Sequence, residues 1–86
     1  MDAVDGNAIG GLLIDVFGTE MTAALSTCGS CGNSGPVAEL VVYLQAPGTV
    51  VRCRTSSSVL MVLLRHGDKI GIDLSGLAGL SLPGQE

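Results

Sequence analysis

The chain has 86 residues, of which 47% are hydrophobic but only Phe17 and Tyr43 are aromatic, so it reads as a single domain (1–86) with an aliphatic core. Eight acidic residues against four basic ones (Arg52, Arg54, Arg65, Lys69) give a net charge of −4, which argues against a generic phosphate-backbone binder. The longest apolar run, Val59 to Leu64, is six residues, far short of the ~20 that span a bilayer, and the acidic start Met1-Asp2-Ala3-Val4-Asp5 is unlike a secretory leader.

Taken in order, residues 1–6 read as a flexible lead-in. Ile9, Leu13 and Val16 then recur at helical spacing, with Leu12 and Phe17 widening the stripe, which predicts a helix over 7–17. Asn7 is positioned as its N-cap and Gly18 as a left-handed C-cap. Residues 21–74 read as a ribbon of antiparallel hairpins. Met21 to Thr27 runs extended, and Gly32-Asn33-Ser34-Gly35-Pro36 is turn chemistry that reverses the chain. Val37 to Gln45 is a strand, Ala46-Pro47-Gly48 a tight turn, and Thr49 to Arg52 the returning strand. The apolar run within Ser58 to His66 predicts a strand buried on both faces, with the helix on one of them. His66 to Lys69 is a hairpin turn, and Ile70 to Leu74 alternates as a last strand at an edge. Residues 75–86 form a tail whose Leu77, Leu80 and Leu82 are available to the sheet or to a second subunit, with its last residues disordered.

Two short motifs organise this ribbon. Cys28-Gly29-Ser30-Cys31 is a complete Cys-x-x-Cys knuckle, and Cys53-Arg54-Thr55-Ser56 repeats its spacing with serine at the last position. The intervening strand, turn and returning strand bring the second knuckle back to the first. Two such loops meeting end to end enclose a zinc ion between thiolates at ~2.3 Å. Gly32 after Cys31 suits a knuckle, while the second has Ser57 there. A serine hydroxyl is not ionised near neutral pH and is a harder, weaker ligand than a thiolate. His66 does not replace it: ten extended residues place it ~33 Å beyond Ser56. A coordinated water is the simplest fourth ligand.

Three readings of Cys28, Cys31 and Cys53 stay open. The first is a structural zinc held by three cysteines, supplying folding energy to a small core diluted by thirteen glycines. The second is a metal-free ribbon with buried thiols or a Cys28–Cys31 pair. The third is a working site, catalytic zinc or thiol redox, but no general base stands beside the knuckles. Arg52 and Arg54 flank Cys53 and read as compensation for the thiolates rather than as a nucleic-acid contact. Asp15, Glu20, Glu39, Asp68 and Asp73 form no acid–base pair, and no phosphate loop or Ser/His/Asp set is present.

Asp5-Gly6-Asn7, Val16-Phe17-Gly18, Glu20-Met21-Thr22, the first knuckle with Gly32, Val37 to Tyr43, Ala46-Pro47-Gly48 and Asp73-Leu74-Ser75-Gly76 resemble a family of small actinobacterial proteins of unknown function. The resemblance runs from about Asp5 to Gly76. It implies a zinc ribbon with Cys-x-x-Cys in both knuckles, in which Cys28, Cys31 and Cys53 are metal ligands and Ser56 stands at the fourth cysteine. It also implies an accessory role in redox metabolism.

The expectation is therefore a small, mainly β (α+β) domain of zinc-ribbon type with one N-terminal helix. It is expected to be non-catalytic and cytoplasmic, and to bind another protein or its own copy. The rivals are a rubredoxin-like or thiol redox accessory to an oxidoreductase, and a nucleic-acid-binding ribbon; no membrane association is expected.

Overall fold

A computed structural model describes residues 3–45 and 48–81. The first element is a strand, β1 (Ala3–Asp5), where the sequence suggests a flexible lead-in. Its side chains give little local signal, and it forms because it pairs antiparallel with β4 (Val41–Gln45), placing Val4 opposite Val42. A 3-10 turn, Gly6–Ile9, follows and leads into α1 (Gly10–Phe17). Asn7 is not the N-cap: Asp5 caps the 3-10 turn, its carboxylate accepting from the Asn7 amide at 3.1 Å, and α1 follows Ile9 with no side-chain cap. The predicted C-cap holds, since Gly18 is left-handed and its amide donates to the Ile14 carbonyl.

Beyond α1 the chain turns through Thr22 and Ala23 before β2 (Leu25–Cys28), so only the last part of the expected extended stretch is strand. β3 (Ser34–Pro36) pairs back on β2, taking up three of the five residues that read as a turn. Val37–Glu39 is a 3-10 turn rather than the start of a strand. Tertiary hydrogen bonds override β propensity there: the Val37 amide donates to Ala24 and the Ala38 amide to Thr22, both at 2.9 Å. β4 then pairs with β5 (Gly48–Arg52), from Val41 opposite Arg52 to Gln45 opposite Gly48. Ala46 and Pro47 of the expected turn lie outside the described residues.

β6 (Val59–His66) and β7 (Lys69–Asp73) complete a hairpin whose turn has Gly67 at positive φ. β6 is not buried on both faces throughout: Leu60, Met61 and Leu63 are buried, whereas Val59 and Leu64 are each 40% exposed. The tail contains an eighth strand, β8 (Leu77–Ser81), which pairs with β2. Leu77 and Leu80 pack against the core, as expected of tail leucines meeting the sheet, while Leu82 and residues 83–86 lie outside the described residues.

The described residues thus form a mainly β, small α+β fold with two antiparallel sheets, ordered β1-β4-β5-β6-β7 and β3-β2-β8, and one α-helix near the N-terminus. The core joins Ile9 and Leu13 to Met21, Val37, Leu40, Val42, Val51, Leu60, Met61 and Leu63, with Cys28 and Cys53 in the same cluster. Among the described residues, no helix is long and apolar enough to cross a membrane.

Candidate metal centre

Each knuckle hangs from the end of a strand in a different sheet. β2 ends at Cys28, and β5 delivers Cys53 one residue past its end. Both are preceded by a register irregularity, between Thr27 and Cys28 in the β2–β8 ladder and between Val51 and Arg52 in the β5–β6 ladder. A bulge bends its strand and re-aims the residues after it. The second one also leaves Leu60 outside the pairing, so that Leu60 and Met61 are both buried although adjacent.

The two loops are copies in their backbone bonding. In the first, the Ser30 and Cys31 amides donate to Cys28 Sγ at 3.3 and 3.5 Å, and the Gly32 amide donates to the Cys28 carbonyl at 3.0 Å. In the second, the Thr55 and Ser56 amides donate to Cys53 Sγ at 3.4 Å each, and the Ser57 amide donates to the Cys53 carbonyl at 2.9 Å. The residue closing each loop has positive φ, 76° at Gly32 and 64° at Ser57. Ser57 is the one non-glycine residue in that region among those described, so the second knuckle keeps its shape without the glycine that would suit it.

The sequence-predicted residues meet. The ligand atoms of Cys28, Cys31 and Cys53 all lie within 4.8 Å of one another, as a group that could hold a metal ion. Cys31 Sγ is 3.7 Å from Cys53 Sγ, and Ser56 Oγ is 3.6 Å from Cys28 Sγ. A tetrahedral ion bonded to sulfur at ~2.3 Å would set neighbouring sulfurs ~3.8 Å apart, so these spacings fit a zinc-sized centre. The thiols are free, Cys28 and Cys53 buried and Cys31 exposed. The Ser56 oxygen lies beside the three sulfurs, next to Cys28 Sγ, and accepts from the Ser58 amide at 3.3 Å.

The same donors bias the thiols toward thiolates. The Ser56 hydroxyl, then its amide, then that of Thr55 pull Cys53 down to about 6 against the opposing effect of burial. Cys28 is lowered by the Cys31 amide first, then by the Ser56 hydroxyl and the Ser30 amide. Soft ligands already close to ionised are what a thiophilic cation requires. His66 stands at the far end of β6, opposite Lys69, as its sequence distance requires.

One residue that holds the loops together was not visible as such in the sequence. Gly76, in the connection between β7 and β8, accepts the Gly29 amide of the first knuckle at 3.0 Å. A Cβ on Gly76 would fall 1.9 Å from the Val59 carbonyl oxygen, just past the second knuckle. The backbone therefore passes between the two loops with no room for a side chain. The arginines beside Cys53 are engaged within the chain. Arg52 donates to the Ser57 carbonyl at 2.8 Å and lies over the Tyr43 ring, and Arg54 pairs with Glu39 at 3.2 Å.

Fold and site together define a small, mainly β protein with a three-cysteine cluster where its two sheets meet. The chain belongs to DUF6510, a family of unknown function, whose family model matches residues 1–85. No curated protein and no solved structure matches the chain.

Proposed function

We propose that the chain is a zinc-stapled, ribbon-like module that works by binding another protein and performs no catalysis itself. The observation that carries this reading is the convergence of three sulfurs from two knuckles on different sheets, within 4.8 Å of one another. Cys28, Cys31 and Cys53 hold the ion, and the fourth position falls to Ser56 Oγ or a water. Bound zinc supplies folding energy by tying the sheets together at the point where hydrophobic packing gives way to solvent. The two amides on Cys28 Sγ and the two on Cys53 Sγ favour the thiolate form and aim each sulfur.

A non-catalytic role is supported by the surroundings of the cluster. The cavity beside Cys28 and Cys53 has about 30 Å³, room for a water or two rather than an organic substrate. Arg52, Arg54 and Arg65 each have a partner within the chain, which favours a protein partner over nucleic acid. Thiols kept ready for metal suit a reducing compartment such as the cytoplasm.

Adding one equivalent of zinc to chelator-treated protein should raise the melting temperature, and Cys53→Ala should abolish the rise. An unchanged melt in zinc would overturn the reading. A second reading rests on the exposed Cys31 lying 3.7 Å from Cys53. Peroxide would oxidise the two thiols to a Cys31–Cys53 disulfide, itself being reduced to two waters. A disulfide mapped to that pair, with no response to zinc, would favour the redox accessory.

A further inference from the structure

The outer edge of β7 is unpaired among the described residues, because β7 is the last strand of the five-stranded sheet. Its sequence is Lys69-Ile70-Gly71-Ile72-Asp73, which is self-complementary when read antiparallel about Gly71. Laid against a second copy in that register, Lys69 faces Asp73 of the other chain, Ile70 faces Ile72, and Gly71 faces Gly71. Neither Lys69 nor Asp73 belongs to an ion pair among the described residues. Ile72 is 37% exposed and, two residues from Ile70, lies on the same face of the sheet as it.

Hydrogen-bond phase supports the same register. His66 and Lys69 close the two-residue β6–β7 turn and form a hydrogen-bonded pair. Alternation then makes Gly71 and Asp73 the other β7 residues whose amides and carbonyls face β6. Ile70 and Ile72 direct theirs outward. A twofold axis through the Gly71 pair sets Ile70 against Ile72 twice, and these pairs exchange four backbone hydrogen bonds. Lys69 and Asp73 fall in the non-hydrogen-bonded phase, where facing side chains come closest. The unpaired edge, its bonding phase, its charges and its apolar residues all meet in one register.

We infer that β7 is a self-pairing edge, through which two copies of the chain form a twofold dimer with one continuous ten-stranded sheet. This names the partner of the module proposed above and rests on that reading only in taking the chain to be an interaction module. The metal centre lies on the knuckles and takes no part in the pairing. A five-residue edge is a small interface, so the dimer is weak, with a dissociation constant of micromolar or higher.

Two measurements test it, with metal content read by native mass spectrometry on the same samples so that loss of zinc and loss of pairing are seen separately. In the wild-type protein, exchange of the Ile70 and Ile72 amides should slow about threefold or more between ~20 μM and ~1 mM, while the Gly71 amide changes less. Concentration-independent exchange at Ile70 and Ile72 would overturn the pairing. Next, Lys69→Asp and Asp73→Lys should each raise the dimer dissociation constant at least about tenfold, since each replaces two attractive pairs by two repulsive ones. Mixed in equal amounts, the two variants should form heterodimers, because each then meets its opposite charge. Self-association of Lys69→Asp as strong as wild type would overturn the register, as would a mixture that stays monomeric while both variants are folded.

Discussion

Ser57→Gly should stabilise the protein. Ser57 sits at φ 64°, the backbone region occupied by Gly32 in the other knuckle. A residue with a Cβ pays ~1–2 kcal/mol there, whereas glycine pays ~0.5–1 kcal/mol more in unfolded-state entropy than other residues. The bonds that Ser57 makes at this corner are backbone ones: its amide donates to Cys53 and its carbonyl accepts from Arg52. Glycine retains both, so the net gain is ~0.5–1 kcal/mol, or ~2–8 °C in melting temperature for a domain of this size. Thermal unfolding followed by circular dichroism, with chelator and with zinc, reads the shift. The mirror change Gly32→Ser should lower the melt by a comparable amount. A lower melting temperature for Ser57→Gly, or no loss for Gly32→Ser, would refute the claim that the two loops share one backbone shape.

Ser56→Cys places a fourth sulfur where Oγ lies 3.6 Å from Cys28 Sγ. A quarter of the binding energy of a structural zinc site is ~3 kcal/mol, so zinc affinity should rise about 100-fold in a competition titration. Gly76→Ala drives a Cβ to 1.9 Å from the Val59 carbonyl oxygen and should cost at least ~3 kcal/mol by urea unfolding. Gly79→Ala, whose nearest contact is an ordinary 3.8 Å, should cost far less. Glu20 is held below its ordinary pKa, first by the Thr22 hydroxyl and then by the Thr22 amide. A lowered carboxylate adds stability that is present above its unfolded pKa and lost as pH falls through its folded one. The urea midpoint of wild type should therefore exceed that of Glu20→Gln at neutral pH and converge with it in acid, once the pH has fallen through the lowered pKa.

What could be read from the sequence was local. The knuckle spacing, the helix with Gly18 after it, the hairpin around Gly67 and the edge position of β7 each follow from residues near one another in the chain. The convergence of Cys28, Cys31 and Cys53 followed too, because the pair of strands between the knuckles returns the chain to its start. What escaped was set by partners remote in sequence. β1 exists because β4 offers an edge to pair with, and Val37–Glu39 is turned by bonds to Ala24 and Thr22. The tail's sequence shows leucines available to the sheet but no strand, yet Gly76 bonds one knuckle and abuts the strand leaving the other, and β8 closes the smaller sheet. No property of Gly76 itself announces that contact; its collision partner is the carbonyl of Val59. The strain at Ser57 was half visible, as a serine standing where the first knuckle has glycine.

X-ray absorption at the zinc edge, on protein loaded with one equivalent of zinc, reads the ligands of the three-cysteine cluster itself. Three sulfurs at ~2.3 Å and one oxygen at ~2.0 Å are expected, changing to four sulfurs in Ser56→Cys and to two in Cys53→Ala. A zinc shell of oxygen and nitrogen alone, or one that Cys53→Ala leaves unchanged, would contradict a zinc site on these cysteines.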